Sequence, residues 1–295
     1  MTPAAAFVSA LCLAQAPPYV RSRVTNADPD SHCLWWREET NIEFRQHQRG
    51  NDETTGDTEF AAVSAAFASW LAVMNGCGSL RFTEGPRTTL TSIGHDPLSE
   101  SNENIVLFRT RMCTDLVGSS DQCWRDDDCM NQYDCWAYAR GTIALTTTVF
   151  DPQSGRVLGG DFELNSVSFI FTTVDAPPCV SPVFNQSCVA TDVQNTMTHE
   201  IGHLLGLDHT PAPGSTMNAS APAGETSKRA IDPGSQQFIC DTYPPGKPSR
   251  DCVILQADGT LGAAEGGCAG CATAASSPML LALLAWLRAR RKRSA

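Results

Sequence analysis

Within one eleven-residue stretch, His199, Glu200, His203, Gly206 and His209 carry the most specific chemistry in the chain. Two imidazoles four residues apart on a helix lie about 40° from each other around its axis, so both can reach one metal ion from the same side. Glu200 flanks that face, where a carboxylate can take a proton from water. Gly206 can adopt the left-handed conformation that stops a helix and turns the chain, which would bring His209 back as a third nitrogen. Three neutral imidazoles leave a tetrahedral cation, zinc above all, one position open for water. Such a set at fixed offsets should coincide by chance on the order of once in 10⁷ starting positions or fewer.

The helix that must present these groups is also legible. At about 100° per residue, Val193, Met197, Ile201, Leu204 and Leu205 cluster on one side, while His199 and His203 point away from them. One face should pack inward and the other should meet a cleft. Thr191-Asp192-Val193-Gln194 has capping-box spacing, with a carboxylate in the first turn where the helix dipole favours it.

The run HEIGHLLGLDH, followed by Ser215-Thr216-Met217, resembles the metzincin metallopeptidases and their Met-turn. The short connection from His209 to Met217 is similar to that of the matrixin branch. The resemblance implies an α+β metzincin (zincin-like) fold: a twisted, mixed five-stranded sheet, a backing helix, an active-site helix, a Met-turn and a small C-terminal subdomain. It also implies that His199, His203 and His209 bind one catalytic zinc ion, that Glu200 is the general base, and that Met217 forms a hydrophobic floor beneath the metal. The expected activity is that of a zinc metalloendopeptidase, hydrolysing extended polypeptides with a zinc-bound water activated by Glu200. The alternative is an inactive scaffold of the same fold serving as a surface binding or adhesion module; loss of Glu200 or a histidine would mark it, and none is lost.

The chain of 295 residues is 42% hydrophobic and 18% charged, ample for a core and ordinary for a globular protein. Its net charge of −11 argues against nucleic acid as a partner. Five of the 21 basic residues are Arg288, Arg290, Arg291, Lys292 and Arg293, leaving 16 against 32 acids elsewhere. The expected unit is a monomer acting on polypeptide. With Cys12, Cys268 and Cys271 set aside, ten of the 13 cysteines remain, an even number that suits five disulfides in an oxidising compartment. Cys179 with Cys188 and Cys240 with Cys252 are the expected local pairs, because short loops cost little entropy to close.

Three segments are expected. Residues 1–16 end an apolar run in Ala14-Gln15-Ala16, the small-x-small form of a signal-peptidase site. Residues 17–262 form the metallopeptidase domain. No cysteine-switch propeptide is expected before Cys33. Residues 263–295 hold Gly267-Cys268, a small-residue spacer, the apolar run Met279 to Leu287 and the basic cluster. They resemble the C-terminal sorting tail of myxobacterial surface proteins, the MYXO-CTERM type. Twenty residues from Cys268 to Leu287 are just enough to cross about 30 Å of hydrocarbon, with the arginines kept cytoplasmic. The resemblance implies export, processing at the Gly-Cys motif and display at the cell surface or beyond it.

Within the domain, strand character runs from Cys33 through LWWREETNIEFRQ. Phe60, Val63, Phe67, Trp70, Leu71 and Met74 recur at helical spacing, with Asp57 as cap and Asn75-Gly76 as stop. Ser79 to Glu84, Asn104 to Thr110, Gly141 to Phe150 and Leu158 to Asn165 read as strands. In the resembling family the strand at the place of Gly141 to Phe150 is the sheet edge that pairs with substrate, and an unpaired edge offers backbone groups to any extended peptide. Cys113 to Cys135 reads as an acidic, disulfide-pinned loop. Calcium is a second candidate ion, there or near Asp161 and Glu163. A second, structural zinc is not expected, since His32, His47 and His95 alone lie outside the motif. Ala221-Pro222 and Gly224-Glu225-Thr226 are expected to wall the pocket for the residue after the scissile bond, and a last helix spans Asp232 to Asp241.

Overall fold

The computed structural model describes residues 18–26, 28–96, 98–99, 102–255, 261–263 and 291–294. The signal-like segment 1–16 and the apolar run Met279 to Leu287 lie outside the described residues. Five strands of the domain form one mixed sheet: β1 (Asn41–Gln46), β2 (Arg81–Glu84), β3 (Asn104–Arg109), β4 (Ala144–Phe150) and β5 (Val157–Asn165). β1 pairs parallel with β2 and β3, and β3 pairs parallel with β5; β4 alone runs antiparallel, against β5.

A sixth strand differs from the expected edge. β6 (Arg291–Ser294) lies antiparallel on β4, with Ser294 opposite Thr146 and Arg291 opposite Val149. The order is therefore β6-β4-β5-β3-β1-β2, and the chain's own basic end occupies the backbone groups that β4 would offer to another peptide.

Helix α1 (Thr58–Cys77) crosses the sheet with Val63, Ala66, Phe67, Trp70 and Met74 buried. Its length and hydropathy would suit a membrane span, but the apolar stripe is spent on the core, where Phe67 stacks on Phe44 at 3.6 Å between ring centroids. Asp57 does not cap it: the residue is left-handed (φ 58°) and its side chain makes no cap hydrogen bond, and the helix runs through Asn75 and Gly76 to end before Gly78. Glycine's weak helix propensity is overridden there by packing of the last turn against α3 (Pro233–Thr242). The strand expected from Cys33 begins only at Asn41, because Trp35 and Trp36 instead turn their indole N–H groups to Ser154 O and Leu204 O. The acidic stretch expected as a loop contains three one-turn helices, Cys113–Leu116, Gln122–Arg125 and Cys129–Tyr133. Pairs Cys113–Cys135 and Cys123–Cys129 pin them.

All ten domain cysteines are paired. Cys179–Cys188 is as expected, but Cys240–Cys252 is not: Cys240 joins Cys77 across 163 residues, and Cys252 joins Cys33 across 219. Loop-closure entropy grows only logarithmically with length, so tertiary contact outweighs sequence proximity. The end of α1 lies on α3, and Asp251 accepts a hydrogen bond from the Cys33 amide at 2.8 Å.

Candidate metal centre

Helix α2 (Val193–Leu204) carries the motif, and its start is set by Asp192. The Asp192 carboxylate accepts from the Asn195 amide at 2.7 Å and also binds Arg229, while Thr191 lies in a short strand with Phe171. The cap is therefore Asp192 three residues before Asn195, one position later than the expected Thr191–Gln194 box. Val193, Met197, Ile201, Leu204 and Leu205 are fully buried, as their spacing predicts. The opposite side is covered too: Glu200 is 3% exposed and His203 2%, because β4 and the chain from Leu207 to Met217 close over them.

The helix ends on side-chain partners that its own sequence does not contain. The Trp36 indole N–H donates to Leu204 O at 2.8 Å and the Tyr243 hydroxyl to Leu205 O at 2.6 Å, satisfying carbonyls that a helix end leaves open. Gly206 follows with φ +101°. Leu207–Asp208 then pairs with Val20–Arg21, and His209 comes back to the first two histidines.

The three Nε2 atoms form a nearly equilateral triangle, His199 to His209 at 3.1 Å and the other two sides at 3.2 Å. The His199 Nδ1 lies 2.7 Å from Thr216 O and the His203 Nδ1 2.9 Å from Leu207 O. A carbonyl only accepts, so both Nδ1 atoms carry the proton and both Nε2 lone pairs face inward. Converging lone pairs repel one another unless a cation lies between them. The spacing also suits one: two nitrogens bound tetrahedrally at about 2.0–2.1 Å stand roughly 3.3 Å apart. The cluster fits a zinc site.

Electrostatics prepare the same state. Burial, then the neighbouring His203, hold the His199 imidazole well below its ordinary value. Burial likewise lowers His209, although Asp208 opposes it. Burial pushes the Glu200 carboxyl up to about 8, against the Thr146 hydroxyl and the Lys228 ammonium, which favour its charged form. A divalent ion at the three nitrogens would act with those two groups, since an opposite charge favours the carboxylate.

These directions have a testable consequence. In the metal-free chain the folded state refuses protons that unfolded histidines, with an ordinary value of 6.5, would bind. Stability present above that value is then lost as the pH falls through it. The Glu200 carboxyl, raised to about 8, takes up a proton in the folded state over the same range and opposes the histidines. In the Glu200→Gln background, which removes it, the melting temperature of the metal-free protein is expected to fall from about pH 7.5 to about pH 5.5, and less steeply when His209→Gln is added. Parallel profiles for the two proteins would count against the assignment.

Met217 is 1% exposed beneath Gly202 of the motif, where an added Cβ would stand 2.3 Å from the Met217 Sδ. The turn is held by residues that sequence reading did not single out for this purpose. Asp232 accepts from the Thr216 amide at 2.9 Å while its own amide donates to Thr216 Oγ1 at 3.0 Å. Thr216 O accepts the hydrogen bond from His199 Nδ1, so Asp232 reaches the candidate metal ligand through one residue. Asp232-Pro233 signals a helix start, and its carboxylate does accept from Gly234 and Ser235; the second duty has no local signal. Lys228, 3% exposed, donates 2.8 Å bonds to Asn218 O and Ser220 O and so fixes the chain just after the Met-turn. Further along, the Gly224 amide donates to Ala190 O at 2.8 Å.

The carboxylates considered for calcium have protein partners. Asp161 accepts from the amides of Gly94 at 2.6 Å and Ile105 at 2.9 Å, and Glu163 from the wholly buried Arg109 at 2.7 Å. Arg109 also donates to Asp134, so a guanidinium supplies positive charge in that part of the core.

Fold and site together define a metallopeptidase-like domain: a mixed sheet with a lone antiparallel strand, a backing helix, and a helix that carries two of three converging histidines. The matrixin family model matches residues 125–243, which include the three histidines, Glu200 and Met217 and support a matrixin-like zinc metallopeptidase domain with the metzincin fold. No curated protein matches the chain.

Proposed function

We propose that this protein is an exported zinc-dependent endopeptidase that cuts extended polypeptides, with His199, His203 and His209 as metal ligands and Glu200 as general base. The observation that carries the reading is the triangle of Nε2 atoms with two Nδ1 protons already committed to backbone carbonyls. Zinc held there would lower the pKa of a water and polarise the scissile carbonyl. Glu200 takes the proton of that water and delivers it to the leaving amine. Met217 closes the floor under the histidines. β4 aligns the substrate backbone, and the segment after Met217 receives the side chain that follows the cut. The intact set of chemical residues leaves no observation that favours the inactive scaffold.

Zinc stoichiometry of the purified chain, read beside casein or gelatin digestion, tests the proposal. One zinc per chain is expected, with cleavage removed by chelation and restored by zinc. Stoichiometric zinc without any cleavage would favour the binding module.

The apolar run before Gln15 and the five disulfides support export, and the tail supports surface display followed by processing near Cys268. Processing would also carry β6 away from β4. A chain ending at residue 262 is therefore expected to cleave peptides with a KM several-fold lower than the chain that retains 291–294, with kcat little changed. Equal KM values would mean that β6 does not compete with substrate.

A further inference from the structure

Thr146 stands on β4 facing α2 and is 1% exposed. Alternation along the strand puts it on the same face as Ala144 and Phe150, both part of the main apolar core. A hydroxyl buried on such a face is costly unless it is hydrogen-bonded. Its oxygen lies 2.6 Å from Glu200 Oε2 and 3.0 Å from the Glu200 carbonyl oxygen, two acceptors that belong to one residue. A hydroxyl has one proton to give, and the shorter contact to the carboxylate is the stronger claimant. Glu200 Oε1 takes no hydrogen bond from the described residues.

We infer that Thr146 is a positioning residue for the general base. Its hydroxyl holds Oε2 of Glu200 against the substrate-aligning strand, so that Oε1 is the oxygen presented to water. The second acceptor strengthens the assignment, because Thr146 contacts both the backbone and the carboxylate of Glu200 and so sets the direction of that side chain relative to β4. A freely rotating carboxylate would spend part of its time with neither oxygen in reach of the water, and proton transfer needs hydrogen-bond distance. The strand on which substrate lies and the base that acts on it are thereby tied by one contact. This role rests on the peptidase reading above.

The test uses the full chain loaded with zinc and two variants. Thr146→Val keeps the β-branched shape and removes the hydroxyl; Thr146→Ser keeps the hydroxyl. Thr146→Val is expected to lower kcat by about 10–100-fold, the scale of a lost hydrogen bond to a charged group. KM and zinc content should stay within about twofold of wild type, and Thr146→Ser should recover most of the rate. Wild-type kcat in zinc-loaded Thr146→Val, or equal losses in both variants, overturns the inference. Crystal structures of metal-free wild type and Thr146→Val give a readout independent of turnover. A turned Glu200 carboxylate supports the role and an unmoved one overturns it. If zinc-loaded wild type cleaves nothing, the peptidase reading has failed, while this comparison still decides whether Thr146 orients Glu200.

Discussion

Zinc-loaded protein carrying Glu200→Ala is expected to keep its metal and to lose peptide cleavage by about 10²–10⁴-fold, the range of a positioned general base. The separation of the two effects follows from the geometry. Glu200 contributes none of the three converging nitrogens, and both ordered imidazoles take their orientation from Thr216 O and Leu207 O rather than from Glu200. Removing the carboxylate leaves that triangle intact. What disappears is the group that takes the proton of the attacking water. Folding should be little harmed, because the carboxyl is buried at a cost that raises it to about 8, and the variant leaves only the Thr146 hydroxyl to find its other acceptor, Glu200 O, which alanine retains. Metal analysis beside kcat on one peptide is the measurement. Cleavage at the wild-type rate would falsify the role of Glu200, and loss of zinc with activity would show that the residue belongs to the metal site itself.

Gly206→Ala is expected to destabilise the fold strongly and to disturb the metal centre with it. Gly206 has φ +101°, a region that L side chains rarely adopt, and the new Cβ would stand 2.5 Å from the Leu34 carbonyl oxygen. Backbone strain of this kind costs about 1–3 kcal/mol, and overpacking a buried contact typically adds about 1–3 kcal/mol. Neither side can yield cheaply. Leu34 O belongs to backbone that also receives Arg21, and Gly206 O accepts from the Ser22 amide at 2.8 Å. Relief would come by moving Leu207 to His209, which opens the nitrogen triangle. Melting temperature should therefore fall by roughly 5–15 °C for a domain of this size, with weakened zinc binding. Gly214→Ala is the control: Gly214 has φ +74° and nothing within 4 Å of the added Cβ, so it isolates the conformational cost alone. Equal losses in the two variants would show that the approach of Leu34 does not matter.

The site was legible in advance to an unusual depth because its signals are local. Ligand spacing on a helix depends only on helical geometry, and the stop at Gly206 on the absence of a Cβ; both are written in eleven consecutive residues. The buried face of α2 follows from the same 3.6-residue period, and the strands β1 to β5 from alternation and apolar runs, with errors confined to their ends. The cap of α2 shifted by one residue because Asp192 and Thr191 are both competent caps, and packing of Thr191 beside Phe171 decided between them.

By itself the sequence determined the three histidines, the glutamate beside them, the turn that returns His209, and a cysteine count that allows five disulfides. Only the tertiary structure decided which cysteines meet, since closing a long loop costs little more than closing a short one. It alone brought Trp36, Tyr243 and Asp232 to the helix end and the Met-turn, and Thr146 to the carboxylate of Glu200. It also laid 291–294 along β4. The contacts at the helix end, the Met-turn and Glu200 join residues from 16 to 168 positions apart, and their selection depends on which surfaces the core brings together. A polar side chain announces that it will need a partner when buried; the chain's linear order does not say which one.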